Sequence, residues 1–166
     1  MRVVNLLLTT ALLATLGMLS SAAQAAEKGA IKLTSIAQTE VAESDTSGKK
    51  TFKRTPADKV VPGTEVIYTT TFENVSDKPV GSIVINNPIP NDSEYKSGSA
   101  YGKNCEILFS VDGGKTYGRA VELKVKGTNG KSRNALPREY TNIRWTYKGK
   151  LAAGKSGEAG FRATVK

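Results

Sequence analysis

The 166-residue chain contains no histidine and a single cysteine. Without histidine there is no Ser-His-Asp or Cys-His relay and no His-based zinc site. One cysteine forbids an internal disulfide. Aromatic residues are few, at 7% of the chain with one tryptophan. Past residue 25 no apolar run approaches the roughly 20 residues that a membrane-spanning helix needs. Acidic side chains are outnumbered, 15 against 24 basic ones, for a formal net charge of +9. That surplus suits anionic partners such as acidic polysaccharide, lipid headgroups or nucleic acid, and it also serves plain solubility.

The first feature that is present is a leader. MRVVNLLLTTALLATLGMLSSAAQA has one cation at Arg2, an apolar stretch from Leu6 to Leu19, and Ala23-Gln24-Ala25 at its end. This is the pattern of a secretory signal peptide cut after Ala25. Cleavage leaves Ala26 to Lys166, a length that suits one domain and can bury a core without metal or disulfide. The mature chain is expected to be soluble, in the periplasm or outside the cell, with no remaining membrane span.

From there on the apolar residues alternate with period two, and no helical stripe is visible. Ile31 to Ala42 reads as a first strand. Glu43 to Lys59 (ESDTSGKKTFKRTPADK) reads as a polar linker, a mobile loop or loosely held edge segment. Thr64 to Asn74 is a strong strand with Val66, Tyr68, Thr70 and Phe72 on one face. Strands follow at Val80–Asn86, Tyr95–Tyr101, Glu106–Val111, Ala120–Lys126, Thr141–Tyr147 and Glu158–Lys166. Pro88 and Pro90 bar Asn87 to Asp92 from any central strand, because each removes a ladder donor. Asp112-Gly113-Gly114-Lys115 is expected to turn a hairpin that leaves Val121, Leu123 and Val125 inward. Cys105 shares parity with Ile107, Phe109 and Val111, which points to a buried, inert thiol. Seven or eight short antiparallel strands, punctuated by Gly, Pro, Asn and Asp, indicate an all-β sandwich, with a closed barrel as the alternative. Trp145 should face the Phe72 strand across the core.

Four of these stretches, in order, resemble a family. Val61-Pro62-Gly63 with the Tyr68 strand ending at Asn74, Ile83 to Pro90 with its proline pair, Glu94 to Ser99, and the Trp145 strand followed by Gly154 to Gly157 are similar to the conserved-repeat domain of bacterial surface proteins. That family is the eleventh of the catalogued domains of unknown function. The resemblance covers Val60 to Lys166 and implies an immunoglobulin-like sandwich of exported proteins, with no established activity and no catalytic residues. It divides the chain into a signal peptide (1–25), an N-terminal strand and polar linker (26–59) and the immunoglobulin-like domain (60–166).

Chemistry is sparse. Asp92, Glu94, Asp112 and Glu139 sit in or near loops, but a glycosidase pair needs a defined separation that spacing alone does not establish. Asp112 lacks the further oxygen ligands of a calcium loop, and Asn91 to Glu94 is a richer oxygen cluster that turn chemistry also explains. Asn74 and Asn91 begin N-glycosylation patterns but read as turn residues. No catalytic residue, metal ligand or cofactor is therefore expected. The most suggestive segment runs from Arg119 to Arg138, where Arg119, Lys124, Lys126, Lys131, Arg133 and Arg138 face only Glu122. Tyr117 and Tyr140 flank it and could stack on a sugar or base. The expectation is a non-enzymatic exported module with a structural or adhesive role at the cell surface. The alternatives are a binder of anionic glycan or nucleic acid through the basic face, and an accessory subunit that docks on envelope or surface proteins through an exposed strand edge.

Overall fold

The computed structural model describes residues 29–44 and 50–166. The signal-peptide expectation for residues 1–25 lies outside them. The strands are β1 (Ile31–Ser44), β2 (Lys50–Pro56), β3 (Glu65–Asn74), β4 (Val80–Gly81), β5 (Val84–Pro88), β6 (Ser93–Tyr95), β7 (Tyr101–Gly102) and β8 (Cys105–Ser110). They continue with β9 (Lys124–Lys126), β10 (Ser132–Asn134), β11 (Asn142–Tyr147), β12 (Lys150–Leu151) and β13 (Ser156–Val165). Among the described residues one 3-10 turn is found, at Pro137–Glu139. All pairings are antiparallel. The large sheet runs β2-β1-β3-β13-β6, with β7 also on β13; it packs against the smaller sheet β5-β11-β8. The architecture is an all-β sandwich. β1 is laddered to β3 from Ile31 to Thr39, so the N-terminal strand is integral with the sandwich of 60–166.

Period-two patterning explains the three strands that carry the core. On β3, Val66, Tyr68, Thr70 and Phe72 point inward, opposite Ala163, Phe161, Ala159 and Gly157 of β13. On β11, Ile143 and Trp145 are fully buried. Phe161 sits in the middle, stacked on Tyr68 with ring centroids 4.9 Å apart and lying 6.3 Å from Trp145. Phe72 meets Tyr147 edge-on at 5.6 Å, so β3 and β11 do face each other across the core. Trp145 satisfies its one donor by giving Nε1–H to the Tyr101 carbonyl at 2.9 Å, as a buried indole must.

The outer side of β3 is also covered. Ile67 is 1% exposed beneath an ion-pair network in which Arg162 bridges Glu65 (2.7 Å) and Glu40 (3.0 Å) and Lys96 pairs with Glu65. These pairs hold the Glu40 and Glu65 carboxyls below the usual carboxylate range. Farther along, the Tyr101 ring lies flat over Gly160. A Cβ there would stand 2.6 Å from both the ring and the Tyr68 carbonyl. At the far end Asn74, fully buried, donates its amide to the carbonyls of Lys78 (2.7 Å) and Leu151 (2.8 Å) and accepts from Ser76. It is an architectural turn residue.

Of the two forms expected for the polar linker, its described part takes the edge segment rather than the mobile loop: it contains a strand, β2, that pairs with β1 from Gln38↔Pro56 to Ser44↔Lys50. An edge strand with one neighbour tolerates a polar sequence, and its Thr and Phe residues favour extended backbone. The strand expected at Ala120–Lys126 begins only at Lys124. A turn closed by the Glu122 N–H on the Arg119 carbonyl (2.9 Å) precedes it and throws Val121 outward, 78% exposed. β9 accordingly pairs with β10, not with β8, whose outer edge makes only the Phe109↔Gly118 bridge. Pro88 ends β5 as a member of an edge strand, where the missing donor costs little.

Trp145→Ala should cost about 3–5 kcal/mol, because the cavity is enclosed by both sheets and the Tyr101 carbonyl loses its donor. Gly160→Ala should cost about 1–3 kcal/mol by forcing the Tyr101 ring off the sheet. Urea denaturation at neutral pH reads both, and a near-neutral Trp145→Ala would contradict the packing described.

Candidate anion-binding face

The basic segment folds as the β9–β10 hairpin and the 3-10 turn after it. Gly127-Thr128-Asn129-Gly130 makes the connection. Gly127 N–H bonds to the Lys131 carbonyl at 2.8 Å, Asn129 Oδ1 accepts the Lys131 N–H at 3.0 Å, and Gly130 takes a φ of 74° that favours glycine. The register Lys126↔Ser132, Val125↔Arg133, Lys124↔Asn134 then sorts the side chains. Lys124, Lys126, Ser132 and Asn134 share one face; Val125 and Arg133 share the other. Val125 packs on the core, so the lysine face looks to solvent.

The predicted patch is therefore divided. Lys124, Lys126, Lys131 and Arg138 are exposed, and among the described residues no carboxylate lies within ion-pair distance of any of them. Lys124 also donates to the Asn134 side chain. Arg133 is committed elsewhere. Its guanidinium grips Glu139 with two bonds, Nη1 to Oε2 at 2.7 Å and Nη2 to Oε1 at 2.6 Å. Glu139 also accepts the Leu136 N–H at 2.8 Å. The Arg133 bonds, then the Leu136 amide, hold the Glu139 carboxyl down at about 2, and Glu139 in turn raises Arg133.

The flanking tyrosines do not act as stacking partners in the way their positions suggest. Tyr140 is buried, 4.7 Å from Phe109 and 5.8 Å from Tyr95 between ring centroids, so it belongs to the core. Burial pushes its hydroxyl pKa up. Tyr117 offers one ring face to the Arg144 guanidinium, 3.7 Å from the centroid, and Arg144 is fixed by Asn86 at 2.8 Å. Arg144 is thus the cation that occupies Tyr117. Its alternate position on the Trp145 strand marks it as outward, and that is the available signal. Arg119 is exposed beside the turn at Glu122.

Two of the loop carboxylates, Asp112 and Glu139, have structural duties. Asp112 accepts Ser110 Oγ (2.7 Å), Thr116 Oγ1 (2.6 Å) and the amides of Lys115 and Thr116, which drives its pKa well below the carboxylate range. It organises its own turn and has little capacity left for a cation. Among the described residues no group of three or more Asp, Glu, Cys or His side chains is placed to hold a metal. Cys105 is half-buried, and burial raises its thiol pKa. Open hollows lie among the described residues. One of about 280 Å³ lies between β1 and β5, beside Ser35, Thr70 and Asn87. One of about 370 Å³ is lined by Tyr95, Ile107, Phe109 and Tyr140. No helix among the described residues is long and apolar enough to cross a membrane.

No family model matches this chain, and no curated protein or solved structure does.

The Arg133–Glu139 clamp has a defined pH window. Glu139 has its folded pKa lowered from 4.5 to about 2, so the clamp is complete above about pH 4.5 and is lost as pH falls toward 2. The protection of the Leu136 amide, taken relative to intrinsic exchange at the same pH, should fall over that interval. In Glu139→Gln, exchange at that amide should be faster at neutral pH, and this acid step should disappear.

Proposed function

We propose that the chain is an exported, non-enzymatic β-sandwich with a structural or adhesive role at the cell surface, in keeping with the conserved-repeat family it resembles. The observation that carries this reading is the mismatch between the two sheets. The large sheet is wider than the β5-β11-β8 sheet that covers it, and β1 continues past its last β3 partner, Thr39, to Ser44. Val41 and Phe52 on the overhanging β1–β2 ladder, with Leu33 and Ile36 farther back on β1, are 48–70% exposed, Leu33 and Val41 on one face and Ile36 and Phe52 on the other. Exposed apolar residues on both faces of this part of the sheet suit association better than chemistry. The sequestered state of Asp112 and Glu139, with no histidine in the chain, supports a role without catalysis. Export rests on the Met1–Ala25 pattern. A product beginning at Ala26 in the periplasm or medium, read by intact mass, is the expected result when the full chain is expressed in a bacterial host.

A second reading is supported by the unpaired cations. Lys124, Lys126, Lys131 and Arg138 are solvent-facing and, among the described residues, make no ion pair, which suits an acidic polysaccharide or, less selectively, nucleic acid. Replacing these four with Ser should bring elution from heparin and from immobilised DNA to lower salt. The slope of log affinity against log salt should fall by about 0.9 for each DNA phosphate that the variant no longer neutralises. Unchanged elution would remove this face as a binding surface, and Arg133→Ser should act instead on the clamp with Glu139.

A further inference from the structure

We infer that the free edge of β2 is a docking edge for an acidic, extended segment of another protein, which adds to the large sheet as a further strand. The inference rests on reading the chain as an association module and names the edge and the partner chemistry.

Backbone geometry defines the edge. Ala57 N–H donates to the Ala37 carbonyl at 3.0 Å, which makes Ala57 and Ala37 a hydrogen-bonded pair in the β1–β2 ladder. Such pairs alternate along antiparallel strands. Thr55, Lys53 and Thr51 therefore turn their N–H and C=O groups toward β1, and Lys50, Phe52, Arg54 and Pro56 turn theirs away from it. Among the described residues no strand pairs with that side of β2. Pro56 stands at one of the outward positions, where its missing N–H removes nothing from the ladder, and it limits the open edge to the Lys50–Arg54 stretch.

Side chains select the occupant. β2 carries Lys50, Lys53 and Arg54 and no acid. The nearest acids are Glu43, 3.7 Å from Lys53, and Glu40, which is shared between Arg54 at 3.4 Å and Arg162 at 3.0 Å, so Lys50 is the cation of β2 that pairs with no acid among the described residues. Phe52 is 70% exposed on the same face as Arg54, an aromatic with no cross-strand neighbour beyond the edge. A second copy of this chain fits badly. The antiparallel register that overlaps Lys50 to Arg54 in full would place Lys50 opposite Arg54 twice, and like charges directly opposed destabilise a strand pair. A strand with acids opposite Lys50, Lys53 and Arg54 and an apolar residue opposite Phe52 satisfies the edge, the charges and the ring together.

The full chain is tested by fluorescence anisotropy against three labelled peptides: acetyl-TEEVTEV-amide, its charge-reversed form acetyl-TKKVTKV-amide, and acetyl-TEEPTEV-amide, which keeps the charge but loses a central strand donor. The first should bind about tenfold or more tighter than either control, and more weakly as salt rises. Phe52→Pro removes the ring and an outward N–H but no hydrogen bond to β1, so the fold should survive while binding falls about tenfold; Phe52→Thr, which loses the ring and keeps the N–H, should lose less. The double variant Lys50→Glu with Lys53→Glu should reverse the preference toward the cationic peptide, and it serves independently if Phe52→Pro fails to fold. Equal binding of the two acidic peptides would reduce the effect to bulk charge and overturn the proposal. So would binding that Phe52→Pro leaves unchanged. Self-association by sedimentation that vanishes in Phe52→Pro would assign the edge to a second copy instead. Export and surface location are scored by fractionation of the same variants, so loss of the edge and loss of the surface role are read separately.

Discussion

Phe161 is the contact on which the two sheets depend. It lies on β13, between Tyr68 on the neighbouring strand and Trp145 on the opposite sheet. Tyr95 extends the same layer to Tyr140 and Phe109, and Phe72 closes it against Tyr147. In a chain with one tryptophan and no disulfide, this layer is where burial can be concentrated. Trp145 is anchored further by the Tyr101 carbonyl, so the small β7 strand is tied into the core through one hydrogen bond. Of all the aromatics only Phe52, Tyr101 and Tyr117 stand outside the layer. Tyr101 lies over Gly160 and Tyr117 under Arg144. Phe52 has no such partner.

Unequal sheet widths then determine what the surface can offer. The outer face of β3 and β13 is sealed by Arg162 with Glu40 and Glu65, charges half in solvent whose main effect is to fix neighbouring strands in register over Ile67. Beyond that seal β1 and β2 have no facing sheet, and their apolar side chains remain in water. The basic hairpin is built on the opposite logic. Its inward face holds Val125 and the Arg133–Glu139 clamp, and this commitment leaves the lysines of the other face free.

The legible parts are those where burial is one-sided and local. Alternation places Phe72, Ile143, Trp145 and Phe161 correctly because each strand meets the core on one face only. β2 is harder to see, since an edge strand is held by its ladder with β1 rather than by its own apolar residues. Val121 matches Leu123 and Val125 in parity and so reads as inward. The Arg119–Glu122 turn breaks the strand before parity can apply. Tyr140 looks like a flanking aromatic because nothing beside it in the chain reveals Tyr95 and Phe109, which arrive from distant strands. The basic segment is visible as a count of charges, but not as two faces.

The amino-acid sequence by itself determined the absence of histidine and disulfide chemistry, the strand-forming period, the turns and the excess of positive charge, since each of these is a property of composition or of neighbours along the chain. Tertiary structure decided which cations are spent and which remain: Arg133 and Arg162 are bound to acids brought from other elements or from across a turn, and Lys124 and Lys126 are not. It also decided that, among the described residues, the large sheet ends on β2, with backbone donors and a phenylalanine facing outward. An edge exists only relative to the neighbours a strand has acquired, and those neighbours are chosen by long-range pairing that no local stretch of sequence encodes.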